Sequence, residues 1–191
     1  MNRYFIINAK SNKSSIAIGF VLMILFFSSC ISIRPGAQKS GKNLYETFYT
    51  GDSGVQYFIK PLNYSTDDKS VLLRIDFAFR YLDSNDCPVI TNISLINKSA
   101  FIMADSLSFS GIDNAVFKGN TPKLLFKEVR SKSYITRYSS EVRLNKLTDF
   151  FKNGKSSVFL NSGANHFVFH PVKKTKRHIE KLNRNVFPCF E

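Results

Sequence analysis

The most regular hydrophobic pattern lies in residues 71–81. Leu73, Ile75, Phe77, Phe79 and Tyr81 alternate with Leu72, Arg74, Asp76, Ala78 and Arg80. A period of two over that length predicts a strand with one face on a core and the other toward water. Residues 55–59 alternate likewise, with Val55, Tyr57 and Ile59 on one side. Phe101, Met103, Leu107 and Phe109 share a face, and Asn97-Lys98-Ser99 predicts a turn joining that strand to another over residues 89–96. Further strands are predicted at 44–49, 123–129, 133–142, 157–161 and 166–172. The clusters Gly51-Asp52-Ser53-Gly54 and Asn161-Ser162-Gly163 separate them as turns. Two stretches change period. Leu144, Leu147 and Phe151 recur at spacings of three and four, and Gly154 stands where a helix-ending glycine would. In residues 174–186, Ile179, Leu182 and Val186 fall on one helical stripe, with Arg177, Lys181 and Arg184 opposite. Short strands at even spacing predict a mainly β chain: an antiparallel β-sandwich with one short internal helix and a C-terminal helix. An open barrel is the alternative.

The N-terminal residues follow another rule. Arg3, Lys10 and Lys13 precede an apolar run over residues 16–27, which ends in Ser28-Ser29-Cys30. A membrane-spanning helix needs about 20 apolar residues, so this run is short for a permanent span. A basic start, a short apolar run and small residues form the layout of a secretory signal peptide. Phe27-Ser28-Ser29-Cys30 resembles the lipobox of bacterial lipoproteins, and its Ser-Ser-Cys ending resembles lipoprotein signals of the Bacteroidota. Phe27 departs from the Leu more usual at its position. The resemblance covers the first 30 residues. It implies a signal peptide over 1–29 and a mature N-terminus at Cys30, acylated on sulfur and nitrogen. Ile31-Ser32-Ile33-Arg34 carries no acid. By the same resemblance, the lipoprotein faces the periplasm from the outer membrane rather than the cell surface. Residues 30–43 lack any apolar period and read as a flexible tether. A single domain is expected over 44–191.

Composition narrows the chemistry. The 191 residues include 19 Phe and 8 Tyr, enough to fill a core. Three Cys are too few for a disulfide scaffold or a four-Cys zinc site. With Cys30 lipidated, Cys87 and Cys189 either pair across a long loop or lie separately buried as small hydrophobes. The chain carries 27 Lys and Arg against 14 Asp and Glu. Arg3, Lys10 and Lys13 leave with the signal peptide, and the mature form stays strongly basic. A periplasmic protein meets little nucleic acid. Its anionic partners are phospholipid, envelope polymers or acidic proteins, with general solubility as the plainer account of the charge. Lys174, Arg177, Lys181 and Arg184 are the candidate anionic-surface patch, and a solvated helix without a partner is the plainer reading of it.

Catalytic motifs are weak. Gly51-Asp52-Ser53-Gly54 matches the string around a serine-protease nucleophile, yet no His precedes Ser53. It reads as a hairpin turn. His166 and His170 lie four apart on a strand, about 13 Å, too far to share a metal. They read as two surface or sheet-edge histidines; His178 is the third histidine of the chain. Asp67 and Asp68, and Asp83 and Asp86, read as turn residues, with a calcium loop as the weaker alternative. No motif implies a cofactor or a metal. The expectation is a non-enzymatic envelope lipoprotein that reaches the membrane through its lipid and docks to an envelope protein or an anionic polymer. A small-ligand carrier or a hydrolytic enzyme is the alternative.

Overall fold

Residues Val71–Tyr81 form β3, and their alternation is realised in full: Val71, Leu73, Ile75, Phe77 and Phe79 are buried. The computed structural model describes residues 44–51, 54–84, 86–110, 116–152 and 156–190. The signal peptide, Cys30, the tether, Asp52-Ser53 and Gly154 lie outside them. The described residues belong to a single unit of the chain.

Around β3 the other strands are β1 (Tyr45–Thr50), β2 (Gly54–Ser65), β4 (Pro88–Asn97), β5 (Ser106–Ser110), β6 (Val116–Lys118), β7 (Lys123–Arg130), β8 (Ser133–Arg143), β9 (Ser157–Ser162) and β10 (Asn165–Pro171). Two helices interrupt them, α1 (Leu144–Phe151) and α2 (Lys173–Asn185), and a short 3-10 helix follows at Phe187–Phe190. The strand order is β6-β5-β9-β10-β2-β3-β4-β8-β7, with β1 also on β2, and each pairing is antiparallel. This is the mainly β, sandwich-like sheet with two helices that the periodicity predicts.

The sheet curls where β2 and β10 meet. The first half of β2 pairs β1 along one edge, and its end, Tyr64 and Ser65, pairs Pro171 and His170 of β10 along the same edge. Upstream, β10 pairs β9. A register shift between Ile59 and Leu62 lets β2 bend. After it, Leu62 and Tyr64 turn inward, which extends the strand well past residues 55–59. Tyr64 is wholly buried, and its hydroxyl meets Ser156 Oγ at 3.1 Å. Burial and the loss of hydration raise its pKa far above the ordinary phenol value.

Aromatic rings fill the space between the layers. Phe77 meets Phe151 at 5.5 Å, Phe109 meets Phe150 at 5.2 Å, and Phe151 stacks on Phe187 at 5.3 Å. Each buried ring contributes about 2–3 kcal/mol by removal from water. Phe190 caps the far end. It lies edge-on to the stacked cross-strand pair Tyr57 and Phe79, at 5.1 and 5.4 Å, and 4.9 Å from Tyr81.

One expected hairpin is corrected. Asn97-Lys98-Ser99 does turn, with Asn97 Oδ1 accepting from the Ser99 amide. Residues 101–104 are not a strand, and β5 pairs β9 and β6 rather than β4. Tyr138 explains the connection. Its hydroxyl accepts from the Ala104 amide at 3.0 Å and donates to the Ile102 carbonyl at 3.2 Å. The loop is thus satisfied by a side chain, and Ile102 rather than Phe101 or Met103 is buried.

Candidate functional site

The apolar residues of α2 are spaced to face the sheet. Thr175, Ile179 and Leu182 are buried, and Val186 follows on the same stripe. Thr175 fastens the first turn to β2: its hydroxyl donates to the Asn63 carbonyl at 2.8 Å and accepts from the Asn63 amide at 3.0 Å. Asn183 Nδ2 donates to the Phe151 carbonyl at 2.7 Å near the other end. The helix is therefore held in one rotation about its axis.

That rotation presents the cations outward. Lys173, Lys174, Lys176, Arg177, Lys181 and Arg184 are all exposed. At about 100° per residue, Lys173, Lys174, Arg177, Lys181 and Arg184 fall within an arc of roughly 100° opposite the buried stripe. The one acid on the helix, Glu180, lies at the edge of that arc. Among the described residues, none of the six cations forms an ion pair. The four residues of the expected patch, Lys174, Arg177, Lys181 and Arg184, share this face.

Local electrostatics oppose such a helix. Its first turn holds no acid and its N-cap, Val172, supplies no side-chain hydrogen bond. Lys173, Lys174 and Lys176 meet the positive end of the helix dipole, where anions are preferred. Arg184 alone sits at the favourable end. His178 reports the resulting potential. Its pKa is lowered first by burial, then by Lys174 and Lys181. The helix forms because its apolar stripe is docked, and its outer face is more basic than folding requires.

Other groups with chemistry are placed as follows. The histidines His166 and His170 both sit on β10, as the strand reading requires. His166 Nδ1 lies 2.6 Å from Asn161 Oδ1, and its ring stacks on Phe159. His170 Nδ1 lies 3.1 Å from Ser157 Oγ, and its Nε2 lies 3.7 Å from Asp67 Oδ1. The sequence reading missed this serine–histidine–aspartate alignment, because the pairing of β10 with β9 on one side and the end of β2 on the other creates it. Its acid is not buried as the aspartate of a serine–histidine–aspartate triad is, since the Asp67 side chain is 91% exposed. Asp68 accepts from Thr66 Oγ1, the Ser70 amide and Ser70 Oγ, and these bonds, Thr66's first, lower its pKa. It is a turn residue. Asp83, with φ at 54°, also serves a turn. Asp86 lies 3.8 Å from Arg143. Among the described residues, no three His, Cys, Asp or Glu side chains converge on a metal position.

Both Cys87 and Cys189 are free thiols in the structure. Cys87 is half-buried against the core, and burial is the main reason its thiol pKa is raised. Cys189 is exposed on the 3-10 helix.

A recess of about 250 Å³ opens on the outer face of the sheet beside the β2 shift, lined by Phe58, Pro61, Ala78 and Asn92. Its charged groups already have partners. Glu46 pairs with Lys60 at 3.1 Å, and Asp76 takes two bonds from Arg137 at 2.9 and 3.0 Å. Few polar groups are left to orient a ligand there.

No family model, curated protein or solved structure matches the chain. Among the described residues, no helix is long and apolar enough to cross a membrane.

Proposed function

We propose that the protein is a non-enzymatic envelope lipoprotein, tethered through acylated Cys30 to the periplasmic side of the outer membrane. It docks to an anionic surface through the outer face of α2. One observation carries the reading: exposed cations, unpaired among the described residues, gather on a helix whose first turn would be more stable without them. The lipid brings the domain to a membrane, and the helix supplies attraction of about 1 kcal/mol per cation held near an anionic lipid surface. A hydrolytic reading finds less support, because Asp67 is exposed and the Ser157–His170 pair lies open to water.

The test is reversal of Arg177, Lys181 and Arg184 to Glu. All three side chains face solvent, so thermal melts should not change. Cosedimentation with vesicles containing anionic phospholipid should fall by about 100-fold at low salt, from about 3 kcal/mol of lost attraction. The gap should narrow at high salt, where screening removes the attraction from both proteins. Equal binding by the two proteins at low salt overturns the proposal.

A further inference from the structure

Strand β7 stands at one end of the sheet order and pairs with β8 alone among the described residues. All eight of its residues are exposed, apolar ones included: Leu124, Leu125 and Phe126 are each over 40% exposed and Val129 is 62% exposed. Half-buried strands hide one face, and this one hides neither.

The turn at its end sets which main-chain groups are open. Arg130 pairs Ser133 across Ser131 and Lys132, whose φ angles are 50° and 61°. Two central residues with positive φ define a type I′ hairpin, and its flanking pair exchanges both hydrogen bonds. Alternation from Arg130 then puts the groups of Glu128 and Phe126 toward β8. The amides and carbonyls of Val129 and Lys127 point outward, unclaimed by β8.

Charge selects what can pair there. The strand and its turn carry Lys123, Lys127, Arg130 and Lys132 against Glu128. Antiparallel pairing with a second copy must match outward-pointing residues with one another. Centred on Lys127 it sets Lys127 opposite Lys127, and centred on Glu128 it sets Glu128 opposite Glu128. Both are destabilising. Centred on Val129 it runs into the Ser131-Lys132 turn within two residues, and centred on Phe126 it lies across the register shift between Leu124 and Phe126, where regular pairing breaks. Edge lysines commonly act only as such a guard against self-pairing. Here the exposed Leu, Phe and Val side chains leave the edge adhesive to a strand of opposite charge.

We propose that the open edge of β7 is a docking strand for an extended peptide segment of another protein, one that alternates apolar and acidic residues. Main-chain bonds to Lys127 and Val129 would supply affinity, and the basic side chains would supply selection. This surface is separate from α2 and does not depend on its role.

The experiment uses the full chain and two labelled eight-residue peptides, one alternating Glu and Val, the other Lys and Val, followed by fluorescence anisotropy at low salt. The Glu peptide should bind at least tenfold more tightly, and raised salt should close the gap. Hydrogen exchange should show the Lys127 and Val129 amides exposed in the free protein and protected with the Glu peptide. Val129→Pro removes an outward amide while sparing the bonds to β8, and should weaken binding at least tenfold. Reversing Lys123, Lys127 and Arg130 to Glu should switch preference to the Lys peptide, which decides the matter if the proline variant does not fold. Reversal of Arg177, Lys181 and Arg184 should leave peptide binding unchanged. A folded Val129→Pro protein that binds as before overturns the proposal. So does retained preference for the Glu peptide after reversal of the β7 charges. A concentration-dependent dimer that Val129→Pro dissolves would also overturn it, making the occupant a second copy.

Discussion

Replacing Phe190 with Ala tests whether the 3-10 helix that follows α2 is a structural part of the core. Phe190 is 2% exposed and meets four rings among the described residues, Tyr57, Phe79 and Tyr81 at 4.9 to 5.4 Å and Phe187 at 6.4 Å. Removing a buried Phe ring costs about 3–5 kcal/mol, the spread reflecting how far the site can collapse. Collapse is restricted here. Tyr57 and Phe79 sit on paired strands and already stack at 5.0 Å, so neither ring can move into the gap without disturbing β2 or β3. The lost edge-on contacts add to the transfer loss, which favours the upper half of the range, about 4–5 kcal/mol. That is a large part of a domain's total of about 5–15 kcal/mol. Urea unfolding followed by far-ultraviolet circular dichroism reads it directly. With a slope of about 2 kcal/mol per molar, the midpoint should fall by roughly 2 M at unchanged slope. Cys189→Ser, one residue away and exposed, is the control and should shift the midpoint little. If Phe190→Ala behaves like that control, the ring is not part of the core and the account of this end of the molecule is wrong.

Three further outcomes are expected. Cys30→Ala should lose all incorporation of a fatty-acid analogue, and a variant that still takes label refutes lipidation at Cys30. In the native protein Cys189 should alkylate quickly and Cys87 slowly, because burial holds the Cys87 thiol protonated and the thiolate is the reactive form. Equal rates, or a Cys87–Cys189 peptide pair in non-reducing mass spectrometry, would contradict this. Folded His178 binds its proton less tightly than the unfolded chain, so its contribution to stability is present above the ordinary histidine value and is lost as pH falls through the lowered one. Lys174→Ala with Lys181→Ala should raise the value without restoring it, since burial is the larger cause, and an unmoved imidazole titration by nuclear magnetic resonance would show that the lysines do not set the potential there.

Features with a local cause were legible in the sequence. The alternation of residues 71–81 fixes which face of β3 is inside, because slipping by one residue would expose Phe77 and Phe79 together. The 3.6-residue spacing of Ile179, Leu182 and Val186 likewise determines where the α2 cations point. Features made by distant pairing were not legible. Nothing in residues 101–110 tells that β5 will choose β9, because the partner lies some 50 residues on. The turn of β2 at Lys60-Pro61 reverses which alternate residues face inward, and a pattern reader takes that reversal for the strand's end. Phe187-Pro188-Cys189-Phe190 carries no period, so its role in the core was invisible. The openness of β7 depends on its rank in the sheet, which only the whole topology determines.

The joining of β2 to β10 has a consequence for how the chain reaches its folded form. The bonds between Asn63 and Thr175 span 112 residues, and Tyr64 pairs with Pro171. Strands β1 to β4 pair in sequence order and need little of the rest, but the seam that brings β10 onto β2 must wait for almost the entire polypeptide. Until then Phe79 and Tyr57 lack the ring that covers them. Such long-separated pairings slow acquisition of the native state. The half-finished sheet would present bare aromatic side chains and open strand edges, the features that draw chains together before they fold. Under the export route proposed above, escort through that interval becomes part of what its architecture demands.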